Sequence, residues 1–396
     1  MTLVTGFEPI LDFPALPLWA GTQSTAGIQK FLPFSLGQDP NGFIRQTSPS
    51  SVRDEVVAAY SDDSYQFITP PPGESAWADE LGDYSAAFGA TVLGSYPPQQ
   101  VLEIGAGSTA VARNLLVRFP IERYVIADPA VVVGPSPLPD GLELMRKYFS
   151  AAEMDDMKFD AIFSFNCLEH IPDPGTILRD IRAVASSKDA RIGLIFPETR
   201  RQLAVGDFNV LLHEHLNYFT TASIRRLFTN AGFSIIDMQI VRDEVQVILK
   251  PADRDDAETP EDMSVDKALL ANRFEKSLAG AEKLFHQALS EHGCVAIHGA
   301  TNGLNTVLSL LGFADDPRFI IFDGDESKVG RYLPANPLPI RHSGDSTYQE
   351  MKSVLVAATS FFDPIYQHVT ARVGIPGERV LPLFPLHDAD MDEFGL

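Results

Sequence analysis

Cysteine is scarce. The chain has only two, Cys167 and Cys294, in 396 residues, which excludes a disulfide framework and any all-cysteine zinc site. Positive charge is also in deficit. Against 53 Asp+Glu stand 31 Lys+Arg, a formal charge of −22 at pH 7. A field of that sign repels phosphate backbones and anionic lipid, so nucleic acid and membrane surfaces are not expected partners, although one local cleft could still take an anionic ligand. No apolar run approaches the roughly 20 residues that cross a bilayer. The first basic side chain is Lys30, so no charged segment precedes an apolar stretch as in a secretory leader. A cytoplasmic protein is expected. Apolar residues at 45% and charged residues at 21% are ordinary for a globular chain, and the length predicts two or three domains.

The first 76 residues are rich in Pro, Gly, Ser and aromatics with little periodicity, and Thr69-Pro70-Pro71-Pro72-Gly73 cannot continue a helix or strand. They read as a loop-rich N-terminal cap leaning on the next domain. Over 77–252 short apolar strands alternate with amphipathic helices, which predicts a parallel α/β sheet with strands at Gln100–Ile104, Arg123–Ala127, Phe159–Ser164, Arg191–Phe196 and Glu244–Leu249. The alternation stops at Asp253–Asp262, where six of ten residues are acidic, the composition of a linker. Over 253–396 the linker leads into a helix carrying Leu270, Phe274, Leu278, Ala281, Phe285 and Leu289 and ended by Gly293. Strands are then expected at Cys294–His298, Arg318–Phe322 and Ser353–Ala357, a second α/β domain.

Val101-Leu102-Glu103-Ile104-Gly105-Ala106-Gly107-Ser108-Thr109-Ala110 reads as a buried strand running into a glycine turn and a helix. Glycine lets the backbone approach a ligand where a Cβ would intrude. Asp128, at the end of the next strand, is placed to accept both hydroxyls of a ribose. Gly105, Gly107, Ala110 and the spacing to Asp128 fit a dinucleotide loop. Glu103, two residues before the first glycine, resembles instead the S-adenosylmethionine loop of the Rossmann-like class I methyltransferases, whose ligand presents an ammonium and a sulfonium. The segment Phe159–Pro174, ending Asn166-Cys167-Leu168-Glu169-His170-Ile171-Pro172-Asp173-Pro174, resembles the fourth-strand segment of the same superfamily and decides for S-adenosylmethionine. Glu103, Gly105, Ala106, Gly107, Asp128 and Asn166 are the expected cofactor contacts.

His213-Glu214-His215 sets three titratable groups side by side. On a strand the two histidines would share a face, as metal ligands do, although no third ligand is near in sequence. A hydrogen-bonded pair pinning a loop is the second reading. The third is acid/base chemistry, since histidine titrates near neutrality and Glu214 could orient a neighbour.

Leu212-His213-Glu214-His215-Leu216-Asn217-Tyr218-Phe219-Thr220 is similar to the hallmark "YHEHLSYFS" of the S-adenosylmethionine-dependent sugar C-methyltransferases, which act on nucleotide-linked ketosugars. Lys328-Val329-Gly330-Arg331-Tyr332-Leu333-Pro334 with Pro339-Ile340 resembles the "KxGRYLPG…PI" signature of that family's C-terminal domain. The similarity runs from about Leu18 onward. It implies a Rossmann-like methyltransferase domain followed by a second Rossmann-like domain. It further implies His215 as general base with Glu214 beside it, His170 and Asn166 against the ketosugar or its enolate, and S-adenosylhomocysteine as product. Tyr218 and the glycine segment His298–Asn305, with His298 and Asn305 themselves, are expected to meet the substrate. The family's four-cysteine zinc module is missing, so no zinc is expected, and Leu212 stands for its usual tyrosine. Leu304 lies near a customary Lys-Gly, and Ala358-Thr359-Ser360 replaces a customary Trp-Asn. Two alternatives remain: an O- or N-methyltransferase of a small metabolite, and a non-catalytic partner subunit of the same fold.

Overall fold

The computed structural model describes residues 6–27, 29–60, 76–96, 98–241, 243–252 and 265–386. The Thr69–Gly73 breaker and the acidic Asp253–Asp262 linker lie outside the described residues. The chain divides into two units, and neither is continuous. One comprises Met1–Phe67, Thr199–His215 and Ser264–Leu396; the other comprises Ile68–Glu198 and Leu216–Met263. Among the described residues no helix is long and apolar enough to cross a membrane.

The second unit is built on a seven-stranded sheet. Its spatial order is Phe233–Val241, Glu244–Pro251, Arg191–Pro197, Ala161–Phe165, Gln100–Ile104, Arg123–Ala127, Leu142–Met145. The last five run parallel, Glu244–Pro251 runs antiparallel to them, and Phe233–Val241, antiparallel to that strand, again runs in the direction of the five. Strands buried on both faces carry continuous apolar runs, and Val101, Leu102, Ile162, Phe163, Ile192 and Leu194 are each wholly buried. The helix Ala76–Leu93 packs on this core through Ala86, Phe88 and Val92. Gly193 is required on the same face, because a Cβ there would meet Val92 Cγ2 at 2.7 Å. The sheet order reverses between Gln100–Ile104 and Ala161–Phe165, and open α/β sheets bind ligands at the carboxyl ends of such strands.

The first unit, a composite of three segments, holds a five-stranded parallel sheet in the order Arg341–His342, Phe319–Asp323, Val295–His298, Val354–Val356, Val380–Pro382. Its long helix Lys267–His292 ends at Gly293 in the left-handed conformation. The expected loop-rich cap is instead an antiparallel meander of Glu8–Pro17, Phe31–Gln38 and Ile44–Gln46. Pro9, Pro14 and Pro17 read as breakers, yet all three lie on an outer strand with register shifts, where a missing N–H is tolerated. The meander belongs with the C-terminal domain rather than with the domain that follows it in sequence. Arg331 donates to Thr22 O at 2.7 Å, and Tyr332 pairs with Gln23. The chain leaves the seven-stranded unit after Glu198 and re-enters it at Leu216, and the intervening 17 residues are part of the composite unit.

Candidate active site

In the seven-stranded unit the central strand Gln100–Ile104 runs into Gly105 and Gly107, both left-handed at φ 66° and 65°. A Cβ on Gly105 would stand 2.3 Å from Cys167 Sγ, so the turn exists only because that position has no side chain. Asp128, at the end of the neighbouring strand, fixes the turn: its Oδ2 accepts from Gly107 N–H at 2.8 Å and its Oδ1 from Ala130 N–H at 2.6 Å. Ala106 is half-buried between the two glycines. A small-residue cradle with a fixed carboxylate at its lip fits a nucleoside with free ribose hydroxyls.

Glu103 departs from its expected part. It is 1% exposed, accepts from Tyr124 Oη–H at 2.8 Å, and burial, with the charge of Asp128 adding, pushes its pKa up to about 8. Its place on the strand buries Glu103 as a wall residue beneath the loop, where the sequence led us to expect a cofactor contact.

The strand Ala161–Phe165 delivers Asn166 to the same end of the sheet. Asn166 holds φ 49°, a conformation that costs a non-glycine residue and concentrates at functional sites. Its N–H donates to Ile195 O at 2.7 Å, while its Oδ1 is buried with no hydrogen-bond partner among the described residues. Burial pushes the Cys167 thiol up to about 12, so it is an inert filler behind Gly105. A short turn, Leu168–His170, follows, with His170 Nε2 3.6 Å from the buried Glu169 carboxylate. Asn217 ties this turn down through Nδ2–H bonds to Ile171 O at 2.7 Å and Glu169 O at 3.3 Å, and Leu216 N–H donates to Glu169 O. Asn217 was not singled out in the sequence, where nothing marks an asparagine as a clamp. Tyr218 beside it is 1% exposed.

His213, Glu214 and His215 belong to the composite unit. They form a turn rather than a strand, with His215 N–H on Leu212 O at 3.1 Å, so the histidines share no strand face. His213 is 3% exposed, its Nε2 lies 3.3 Å from Leu32 O, and its ring meets Phe34 edge-on. Burial lowers its pKa to about 4. His213 is therefore the loop-pinning histidine, and His215 is half-buried. Gln46 was missed in the sequence. Its Nε2–H₂ reaches the carbonyls of Leu212, His213 and His215 at 3.3, 3.0 and 3.1 Å.

The glycine segment of the C-terminal sheet corrects a second expectation. His298 is 6% exposed, with Nδ1 2.8 Å from Tyr348 Oη, and burial lowers its pKa to about 4. Asn305 is wholly buried, its Oδ1 accepting from Ala335 N–H at 2.9 Å. Both side chains are buried, and Asn305 Nδ2 has no hydrogen-bond partner among the described residues.

Residues 76–238 match a family described as a methyltransferase domain, and residues 258–383 match the C-methyltransferase C-terminal domain. The chain is 24% identical over 263 residues to the C-methyltransferase NovU of Streptomyces niveus, an alignment spanning 60% of this chain and 62% of that one. Among solved structures it is similar to the riboflavin-derivative dimethyltransferase RosA of Streptomyces davawensis, at 19% identity and a TM-score of 0.34 over 51% of this chain and 59% of that one. It is also similar to CalO1, a methyltransferase of calicheamicin biosynthesis in its S-adenosylhomocysteine-bound form, at 15% identity and a TM-score of 0.36 over 52% and 61%.

Proposed function

We propose that the chain, whose two parts match a methyltransferase domain and the C-methyltransferase C-terminal domain, uses S-adenosylmethionine to methylate a carbon beside a ketone on a nucleotide-linked deoxysugar in the cytoplasm. The observation that supports this reading is the end of the central strand, where Gly105 and Gly107 form a tight turn fixed by Asp128 beside the left-handed Asn166. S-adenosylmethionine supplies an electrophilic methyl on a sulfonium and leaves as S-adenosylhomocysteine. Gly105, Ala106 and Gly107 would hold it along the backbone, and the outer lone pairs of Asp128 would accept from the ribose.

A carbon-bound proton beside a ketone is too weakly acidic to leave unaided, so the site needs a base and a donor to the developing enolate oxygen. His215 takes the proton. Glu214, beside it, stabilises the imidazolium that results. His170, or the amide N–H₂ of Asn166, donates to the enolate oxygen, and the enolate carbon forms the new bond as its electron pair takes the methyl. Tyr218 supports the wall near the substrate. No metal enters this reading.

Methyl-¹³C-labelled donor incubated with a panel of nucleoside-diphosphate 4-keto-6-deoxysugars tests the proposal. Splitting of the sugar carbon-3 resonance by the directly bonded labelled methyl is expected. A label bonded to oxygen or nitrogen would replace the reading with that of an O- or N-methyltransferase, and no transfer to any ketosugar would overturn the substrate class.

A further inference from the structure

Doubly wound sheets bind ligands where the strand order reverses. In the C-terminal sheet that point lies between Val295–His298 and Val354–Val356. Two of the groups a nucleotide would use there are already taken. Asp323, the counterpart of Asp128 at the end of the adjacent strand, accepts from Ala300 N–H at 2.9 Å and from Lys328 Nζ at 3.1 Å. The first turn of the helix Asn302–Leu310 offers Gly303 N–H, and Asn209 Oδ1 accepts it at 2.9 Å. Asn209 Nδ2–H₂ also donates to Ala357 O at 2.9 Å, at the end of the opposite strand.

Asn209 is one residue of an inserted turn. Asp207, wholly buried, accepts from Asn209 N–H at 2.8 Å and from the hydroxyl of Thr359. Phe208 is held among the rings of Phe13, Phe274 and Phe384, with centroids 5.3 to 6.2 Å away. Asn302 Nδ2–H₂ donates to Leu211 O at 2.8 Å. The fit is close. A Cβ on Gly303 would lie 2.6 Å from Asn209 Oδ1, and a Cβ on Gly206 would lie 2.6 Å from Arg273 O.

We infer that the C-terminal Rossmann-like sheet, instead of binding a nucleotide, uses its ligand crevice to grip Asp207–Leu211 of its own chain, and that Asn209 is thereby a positioning residue for His215. The grip ends at Leu211. The next residues, Leu212, His213 and His215, have their carbonyls on Gln46. The candidate base therefore lies at the end of two successive anchors, the crevice at Asp207–Leu211 and Gln46 along Leu212–His215. A fold built to hold a ligand holds a catalytic segment, which accounts for a second α/β domain in an enzyme with one donor site. This role rests on the proposed function, because it takes His215 to be the base.

The test compares wild type, Asn209→Ala, Asn209→Asp and Gly303→Ala in the full chain. Asn209→Ala is expected to lower kcat by roughly 10–10²-fold, the cost of a base displaced by about an ångström, with S-adenosylmethionine affinity within twofold of wild type. Asn209→Asp keeps the acceptor for Gly303 N–H and suits a helix N-terminus but loses the donor to Ala357 O, so it should recover only part of the rate. Alanine is the better helix former, yet Gly303→Ala should reproduce the kcat defect because its Cβ displaces Asn209. Amide hydrogen exchange supplies a readout without sugar substrate: Gly303 N–H and His215 N–H should lose protection in Asn209→Ala. Unchanged exchange and unchanged kcat would overturn the inference, as would calorimetric binding of ADP or a thymidine diphosphate that Gly303→Ala abolishes. Failure of wild type to bind S-adenosylmethionine would instead strike the proposed function, leaving the exchange result to decide the grip.

Discussion

At the residue scale the site depends on what is missing from Gly105 and what is fixed at Asp128. Gly105→Ala adds a methyl 2.3 Å from Cys167 Sγ at a left-handed φ, two penalties of distinct origin. The variant should lose donor binding and melt at a lower temperature. Adding Cys167→Ala removes the sulfur and should recover part of both losses, leaving the backbone cost of about 1–2 kcal/mol. Full recovery would show that the conformational cost is absent. Asp128→Ala should weaken S-adenosylmethionine binding by roughly 1.5–3 kcal/mol in calorimetry, the loss of hydrogen bonds to a charged acceptor. Tight nicotinamide-dinucleotide binding with no affinity for S-adenosylmethionine would contradict the cofactor assignment. Both residues were legible in the sequence, because a glycine turn after an apolar strand leaves a distinctive spacing. The inward turn of Glu103 follows from its place on a strand buried on both faces, which the spacing to Gly105 does not report.

At the element scale the parallel strands were readable because burial on both faces makes them continuous apolar runs: Gln100–Ile104 and Arg123–Ala127 occupy their expected residues. The N-terminal meander was hidden by its prolines, and Phe233–Val241 by its exposed outer face, where Ile236 and Ile240 are over a third exposed. The sequence marked His213–His215 as a candidate for chemistry but did not show its geometry, since its shape is set by Gln46, 166 residues before Leu212. Gln46→Ala removes the shared donor of three carbonyls. It should lower kcat several-fold while S-adenosylmethionine affinity holds, and a drop in affinity with kcat intact would show that Gln46 does not position this segment.

At the scale of the whole molecule, buried titratable groups set opposing pH dependences. His213 and His298 have folded pKa values of about 4 against an ordinary 6.5, so the unfolded chain binds more protons between those values. Their contribution is complete above pH 6.5 and is lost as pH falls toward 4, roughly 3 kcal/mol each. Glu103 works the other way: its folded pKa near 8 means that stability falls as pH rises from 4.5 through 8. Chemical denaturation at stepped pH should therefore peak near neutrality. His213→Gln should flatten the acid limb and Glu103→Gln the alkaline one, and unchanged limbs would show that these groups do not set them. The discontinuous units were beyond sequence reading, because Thr199–His215 leaves one sheet and returns to it without any break in composition.

The central claim is that His215 removes a proton from carbon. Wild-type enzyme, S-adenosylhomocysteine and the nucleotide ketosugar in deuterium oxide should exchange hydrogen at the carbon beside the ketone, without methyl transfer. His215→Ala should abolish that exchange and lower turnover by roughly 10²–10⁴-fold, the usual contribution of a positioned base, while S-adenosylmethionine affinity is unchanged. Exchange and turnover at wild-type rates in His215→Ala would contradict the account and move the base elsewhere.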